Sequence, residues 1–176
     1  MQALTCSLAS LQAGEQLFGT APQIKTWLLL EVNEPLTAQA LVDNHLPEPV
    51  RAYVNALQKS IPGSRVLLIQ QGRSRHRSQV SFFICTNSNR EPLLLEYSLD
   101  DYSHLLELDV QALASGAHSQ QAVRQEPLYL VCTNGKRDAC CASLGAPFYR
   151  RLSALEPQNT WQCSHVGGHR FAANAI

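Results

Sequence analysis

The sequence predicts an α/β fold. Short apolar runs with the length of buried strands alternate with segments whose apolar residues recur at helical spacing. Two strand-like runs separated by residues 87–89, "NSN", have the pattern of a hairpin, so we expect a mixed sheet in the N-terminal part. With 45% hydrophobic and 16% charged residues, the 176-residue chain can bury an ordinary core.

The N-terminal part is predicted to contain four strands and one long helix. The helix covers 47–61, because a proline stands at its start and Val50, Val54 and Leu57 follow at helical spacing. A short helix and a polar linker follow within 105–127, and we predict a domain boundary after residue 122. The four strands are the runs at 24–32, 64–70, 78–86 and 90–98.

The C-terminal part, residues 123–176, is predicted to form a second domain. It has a strand at 127–133, a loop, a helical pattern over 146–157 and a further strand at 159–164. Strand, loop, helix and strand is the order in which a thioredoxin-like domain begins. We therefore expect a thioredoxin-like C-terminal part.

Charge and hydropathy exclude several classes of protein. Lys+Arg and Asp+Glu number 14 each, so no net field favours nucleic acid or an anionic membrane. No apolar run approaches the ~20 residues of a membrane helix, and the start lacks a signal-peptide pattern, so we expect a cytoplasmic protein. The basic stretch 71–79 is predicted to be a solvated loop, with a docking patch for an acidic partner as the alternative.

Cysteines cluster in the C-terminal part, where four of the six lie between positions 132 and 163. In a reducing compartment such clusters indicate metal or redox chemistry rather than disulfides. Cys132 ends a predicted strand, and Cys141 follows after an eight-residue loop that contains Gly135. We expect amides of this loop to hydrogen-bond a thiolate, and Lys136 and Arg137 to favour it electrostatically.

Two histidines, His165 and His169, enclose three residues that include two adjacent glycines. In a helix the glycine pair would cost about 2 kcal/mol relative to alanine, so a loop is predicted. Imidazole nitrogens suit iron and zinc. Together with Cys132 and Cys141, these histidines are the predicted ligands of one metal site.

The other cysteines are predicted to have structural roles. Cys6, Cys85 and Cys163 lie in contexts typical of small core residues. Cys140 adjoins Cys141, and because neighbouring side chains rarely serve one site, only one of the two is expected to bind metal.

Three kinds of chemistry are compatible with these residues. Two cysteines and two histidines could hold a structural zinc ion, although zinc sites usually begin with a closer cysteine pair than C-x8-C. They could instead hold a [2Fe–2S] cluster, although a Rieske centre interleaves its cysteines and histidines. A thiol oxidoreductase using Cys140 and Cys141 is the third alternative, but C-x-x-C is absent.

The segments "VCTNGKRDACCASLGAPFYRRL" and "SHVGGHRFAAN" resemble the sucrase/ferredoxin-like family. The resemblance implies a [2Fe–2S] cluster, with Cys132 and Cys141 on one iron and His165 and His169 on the other. It implies an electron carrier with a redox partner protein, whereas the balanced charge and the lack of a long apolar run predict no nucleic-acid or membrane partner. Asp138 would order the cysteine loop and Arg170 would lie beside the cluster.

The resemblance also carries two further expectations. No carboxylate pair marks a glycosidase site, so an electron carrier is favoured over a catalyst. Family members usually continue beyond "HRFAAN", which implies a chain shortened at its C-terminus and an incomplete thioredoxin-like part. A shortened chain that binds no metal is therefore an alternative to the cluster and to zinc.

Overall fold

A computed structural model describes residues 5–72, 78–87 and 92–176. Each predicted strand overlaps an observed one, and the predicted α/β class is confirmed. The predicted hairpin turn beyond residue 87 and the basic residues at 73–77 lie outside the described residues. The strands are β1 (Thr26–Glu31), β2 (Ser64–Gln70), β3 (Val80–Thr86), β4 (Leu93–Leu99), β5 (Tyr129–Cys132) and β6 (Thr160–Cys163).

The helices connect and cover these strands. They are α1 (Cys6–Gln12), α2 (Glu48–Ser60), α3 (Val110–Ala114) and α4 (Ala146–Leu155), with 3-10 turns at Tyr102–Glu107, Gln120–Ala122 and His169–Phe171 and a π-helical turn at Cys141–Gly145. No helix in the described ranges has the length and apolar character needed to span a membrane.

Helix α1 has no counterpart among the predicted elements. It buries Ser7 and Ser10, whereas Leu8 and Leu11 are 44% and 76% exposed. Amphipathic helices are found in a sequence by an apolar stripe that faces the core. The buried side of α1 is polar, so that signal is absent.

The six strands form one mixed sheet in the order β4-β3-β1-β2-β6-β5. The strand pairs β1–β2 and β5–β6 are parallel, while β1–β3, β3–β4 and β2–β6 are antiparallel. Each parallel pair is connected through a helix, α2 in the first and α4 in the second, as parallel neighbours require.

Alternating side chains along the strands supply two hydrophobic clusters. In β1, Leu28 and Leu30 join the cluster that α2 covers, whereas Leu29 joins the other. The second cluster also contains Trp161 and Cys163, together with both cysteines of the predicted metal site. The candidate site thus lies at the edge of a core.

The two predicted parts of the chain share this sheet. Ile69 and Gln70 of β2 are in register with Cys163 and Gln162 of β6, across the predicted boundary after residue 122. The strand–loop–helix–strand order of the C-terminal part is confirmed. Its thioredoxin-like classification stays a prediction.

Candidate metal site

Three predicted ligands lie together at the carboxyl end of β5 and β6. Cys132 is the last residue of β5, Cys141 begins the π-helical turn, and His165 follows β6 by two residues. Their ligand atoms lie within 4.8 Å of one another. Nδ1 of His165 is 3.7 Å from Sγ of Cys132 and 3.4 Å from Sγ of Cys141.

These separations match the donor spacing around a tetrahedral metal ion. With metal–sulfur and metal–nitrogen distances of about 2.3 and 2.0–2.1 Å, adjacent donors are about 3.6 Å apart. The three residues could therefore hold a metal without rearrangement of the loops.

His169, the fourth predicted ligand, lies beside this group but outside it. Its ring centroid is 5.9 Å from that of His165, and its side chain is 44% exposed. Nε2 of His169 faces the Asp138 carboxylate at 3.8 Å. The structure therefore brings three of the four predicted ligands together and places the fourth at the solvent side.

The two glycines between the histidines have left-handed backbone conformations. The φ angles of Gly167 and Gly168 are 92° and 60°, values that glycine adopts without steric cost. The chain then enters the 3-10 turn that begins at His169. The predicted loop is confirmed, and the sharp change of direction brings His169 back towards His165.

Hydrogen bonds place the negative charge of the cysteine pair on Cys132. The pKa of Cys132 is lowered first by the hydrogen bond from the Cys141 thiol, and further by the amides of Val166 and Asn134 and by His165, against the effect of burial. The pKa of Cys141 is raised because it donates that bond and is buried. The two sulfurs thus hold one proton between them, which a bound cation would displace.

Among the loop amides, that of Asn134 contributes to the lowered pKa of Cys132, as expected for a loop that stabilises a thiolate. Lys136 and Arg137 were also expected to favour the thiolate. Their side chains are exposed, and the hydrogen bonds account for the lowered pKa of Cys132. Amide dipoles close to the sulfur act more strongly than charges screened by water.

Asp138 orders the cysteine loop, as predicted. Its carboxylate accepts a 2.8 Å hydrogen bond from the amide of Cys140, and its carbonyl accepts one from the amide of Cys141. At the other end of the loop, the buried Asn134 donates from Nδ2 to the carbonyl of Thr37 at 2.9 Å. The loop is therefore attached to the N-terminal part of the chain.

Two glycines allow the cysteine segments to approach closely. A Cβ atom on Gly145 would lie 2.1 Å from the carbonyl oxygen of Cys132, and one on Gly135 would lie 2.5 Å from Cβ of Ala142. The φ of Gly135 is not positive, so its role is close packing and not an unusual backbone conformation. The sequence pattern carried no signal for Gly145.

Asn174 ties the histidine loop to β5. Its Nδ2 donates to the carbonyls of Gly167 and Gly168 at 3.0 and 2.9 Å. Its own carbonyl accepts a 3.0 Å hydrogen bond from the amide of Cys132. Asn174 lies within the "HRFAAN" segment, but no metal chemistry singled it out, because amides are uncommon ligands for zinc or iron.

The remaining cysteines differ in environment. Cys163 is fully buried beside Cys132 in the sheet register, which confirms its core position. Cys140 is buried outside the ligand group, and Cys85 is half-buried, with its pKa raised to about 12 by burial. Cys6 is exposed, so the prediction of a core position was wrong; it lies at the solvent-facing start of α1.

Arg170 connects the histidine loop to the N-terminal segment. Its Nε lies 2.9 Å from Oε2 of Glu15, and its guanidinium lies 4.6 Å from the ring of Phe171. The arginine therefore forms an ion pair next to His169, at the edge of the site.

Comparison with known proteins agrees with this arrangement of motifs. Residues 17–176 match the sequence model of the family described as sucrase/ferredoxin-like. Searches of curated proteins and of solved structures returned no match. The match includes both cysteines, both histidines and nearly all of the N-terminal part. The chain therefore belongs to the sucrase/ferredoxin-like family.

Proposed function

We propose that this protein transfers electrons by means of a [2Fe–2S] cluster held by Cys132, Cys141, His165 and His169. The observation that carries the proposal is the grouping of the ligands, since the ligand atoms of Cys132, Cys141 and His165 lie within 4.8 Å of one another and the His169 imidazole lies beside that of His165. Each iron of such a cluster takes two protein ligands, and histidine pairs occur on one iron of Rieske centres. Membership of the sucrase/ferredoxin-like family supports the proposal.

The four proposed ligands differ in their exposure to solvent. Cys132 and Cys141 are buried, so their thiolates are protected from water, while His169 lies at the surface. When bound, the cluster accepts and releases one electron at a time, with imidazole ligands raising its potential above that of an all-cysteine cluster.

Nε2 of His169 lies 3.8 Å from the Asp138 carboxylate, and the histidine side chain is 44% exposed. Because His169 contacts solvent, a proton that its ring releases when the cluster is oxidised can pass to water. Electron transfer at this site is therefore expected to be coupled to proton transfer. A redox partner protein and a cytoplasmic location belong to the same proposal.

A second candidate is a structural zinc site. The donor separations of 3.4 and 3.7 Å favour a single ion shared by both cysteines and His165. His169, whose ring centroid lies 5.9 Å from that of His165, would be the fourth ligand. Such a site would stabilise the fold and carry no electrons.

Metal analysis separates the two candidates. The full chain would be purified without air and assayed for iron, acid-labile sulfide and zinc, with visible and electron paramagnetic resonance spectra of the oxidised and reduced protein. Two irons and two sulfides per chain, with a paramagnetic signal only on reduction, are expected. One zinc in a colourless protein would overturn electron transfer and favour the structural site.

Two serine variants test which cysteine binds the metal. Cys132→Ser should lose the metal, because it removes the thiolate that the surrounding amides stabilise. Cys163→Ser is the matched control, since Cys163 is buried in register with Cys132 but lies outside the ligand group.

A further inference from the structure

Arg65 reaches from β2 to the backbone that carries His165. Its Nη1 donates to the carbonyl of Val166 at 2.8 Å, and its Nη2 donates to the carbonyl of His165 at 3.0 Å. Two parallel bonds from one planar guanidinium hold both the position and the orientation of a peptide segment. Arg65 therefore restrains the two peptides that flank Val166.

Asn174 holds the segment after β6 on the β5 side, and the attachments on the β2 side are made by Ser164 and Arg65. Ser164 is held against β2, because its amide donates to the carbonyl of Leu68 and its hydroxyl accepts from the amide of Leu68. Beyond Val166 come two glycines, which have no side chains to pack. Among the described residues, the Arg65 guanidinium is the last group of β2 that holds the chain before it turns towards His169.

The groups whose negative charge acts on Arg65 are Cys163 and Cys132, not a carboxylate. Within the described ranges, no carboxylate oxygen lies within 4 Å of its guanidinium. Burial lowers the pKa of Arg65, and the charges of Cys163 and Cys132 oppose that lowering. The guanidinium also lies 6.0 Å from the ring of Trp27, its register partner on β1.

A half-buried cation without a carboxylate partner is costly, so such a residue is retained where its charge or its hydrogen bonds serve another group. Here both serve the cysteine–histidine group. The charge interacts with those of Cys163 and Cys132, and the hydrogen bonds hold the residue that bears the Nδ1 ligand atom.

We propose that Arg65 is the positioning residue for the histidine half of the metal site. It acts through the His165 and Val166 carbonyls and does not contact the metal. The effect of Arg65 on metal affinity rests on the proposed function. The restraint of the loop by Arg65 does not depend on a metal.

Cobalt(II) binding to the metal-free full chain tests the consequence, because thiolate-to-cobalt absorption reports the site whichever metal is native. Arg65→Met should weaken cobalt binding ten- to a hundredfold, the usual loss when a group that orients a ligand is removed. Arg65→Lys should recover part of the affinity, since an ammonium replaces the charge but not the two-point geometry.

Arg124→Met is the matched control. Arg124 is also a partly buried arginine, which pairs with Glu96 and hydrogen-bonds Asn159 at 2.6 Å, outside the cysteine–histidine group. This variant should lower thermal stability without changing the cobalt affinity. An Arg65→Met protein that binds cobalt as tightly as the wild type would overturn the inference.

Backbone relaxation measured by nuclear magnetic resonance separates this inference from the proposed function. In the metal-free protein, Arg65→Met should lower the order parameters of residues 165–169 relative to the wild type, while β6 stays rigid. Unchanged order parameters in this segment would refute a positioning role. A wild-type protein that binds no cobalt would refute metal binding, yet the relaxation measurement would still decide the role of Arg65.

Discussion

Sγ of Cys132 lies 3.7 Å from Nδ1 of His165, although 33 positions separate the two residues in the chain. The parallel register of β5 and β6 creates this contact. It aligns Cys132 with Cys163, so that the chain leaving β6 passes directly over the end of β5. Strand pairing thus brings the two ligands together.

Gly145→Ala should destabilise the protein strongly. The added Cβ would lie 2.1 Å from the carbonyl oxygen of Cys132, so the π-helical turn and β5 must separate. We expect a loss of about 1–3 kcal/mol in the free energy of unfolding, measured by denaturant titration. Gly72→Ala is the control, because no atom lies within 4 Å of its added Cβ and its φ is not positive. Equal stability of the two variants would contradict the close packing.

Cys141→Ala should raise the pKa of Cys132 in the metal-free protein. The Cys141 thiol is the main cause of the lowered pKa of Cys132, and alanine removes that donor. Cys141→Ser, which keeps a donor, should change the pKa less. The ultraviolet absorbance of the thiolate, followed against pH, measures the difference. Identical titrations of Cys141→Ala and the wild type would show that the thiols do not interact.

The same hydrogen bonds make stability depend on pH. The pKa of Cys132 is lower in the folded protein than in the unfolded chain, where thiols titrate at about 8.5. The thiolate therefore stabilises the fold above the unfolded pKa, and this contribution is lost as the pH falls through the folded pKa. Unfolding of a Cys132→Ala variant, measured at several pH values, should lack this dependence.

Zinc binding should release about one proton from the cysteine pair at neutral pH. The lowered pKa of Cys132 means that it is already a thiolate, whereas the raised pKa of Cys141 means that it must lose its proton. Zinc affinity should therefore rise by about tenfold per pH unit. Calorimetry in buffers of different ionisation enthalpy counts the protons. Release of two protons from the cysteines would contradict the shared-proton arrangement.

If iron is present, His169→Cys should lower the midpoint potential. Replacement of a neutral imidazole by a thiolate adds negative charge to the cluster, as the contrast between Rieske and all-cysteine clusters shows. A spectroelectrochemical titration under anaerobic conditions would measure the shift. His118→Cys is the control, since His118 lies outside the ligand group. A potential equal to that of the wild type would exclude His169 as a ligand.

Features carried by local sequence were predicted closely. The strand β2 was predicted with its observed limits, and α2 differed by one residue at each end, because apolar periodicity and a starting proline mark such elements locally. The loop between the histidines was predicted from the backbone preference of its two glycines. Helix α1 was missed because its buried residues are serines.

The sequence by itself determined the ligand types, their two spacings and the family to which the chain belongs, since these depend on residue identity and local order. Only the tertiary structure decided that Cys132 holds the thiolate, that His169 lies at the solvent side, and that Arg65 supports His165. These relationships depend on contacts between segments distant in the chain, such as the 100 positions from Arg65 to His165. Strand pairing creates such contacts, and no local pattern encodes which distant residues it brings together.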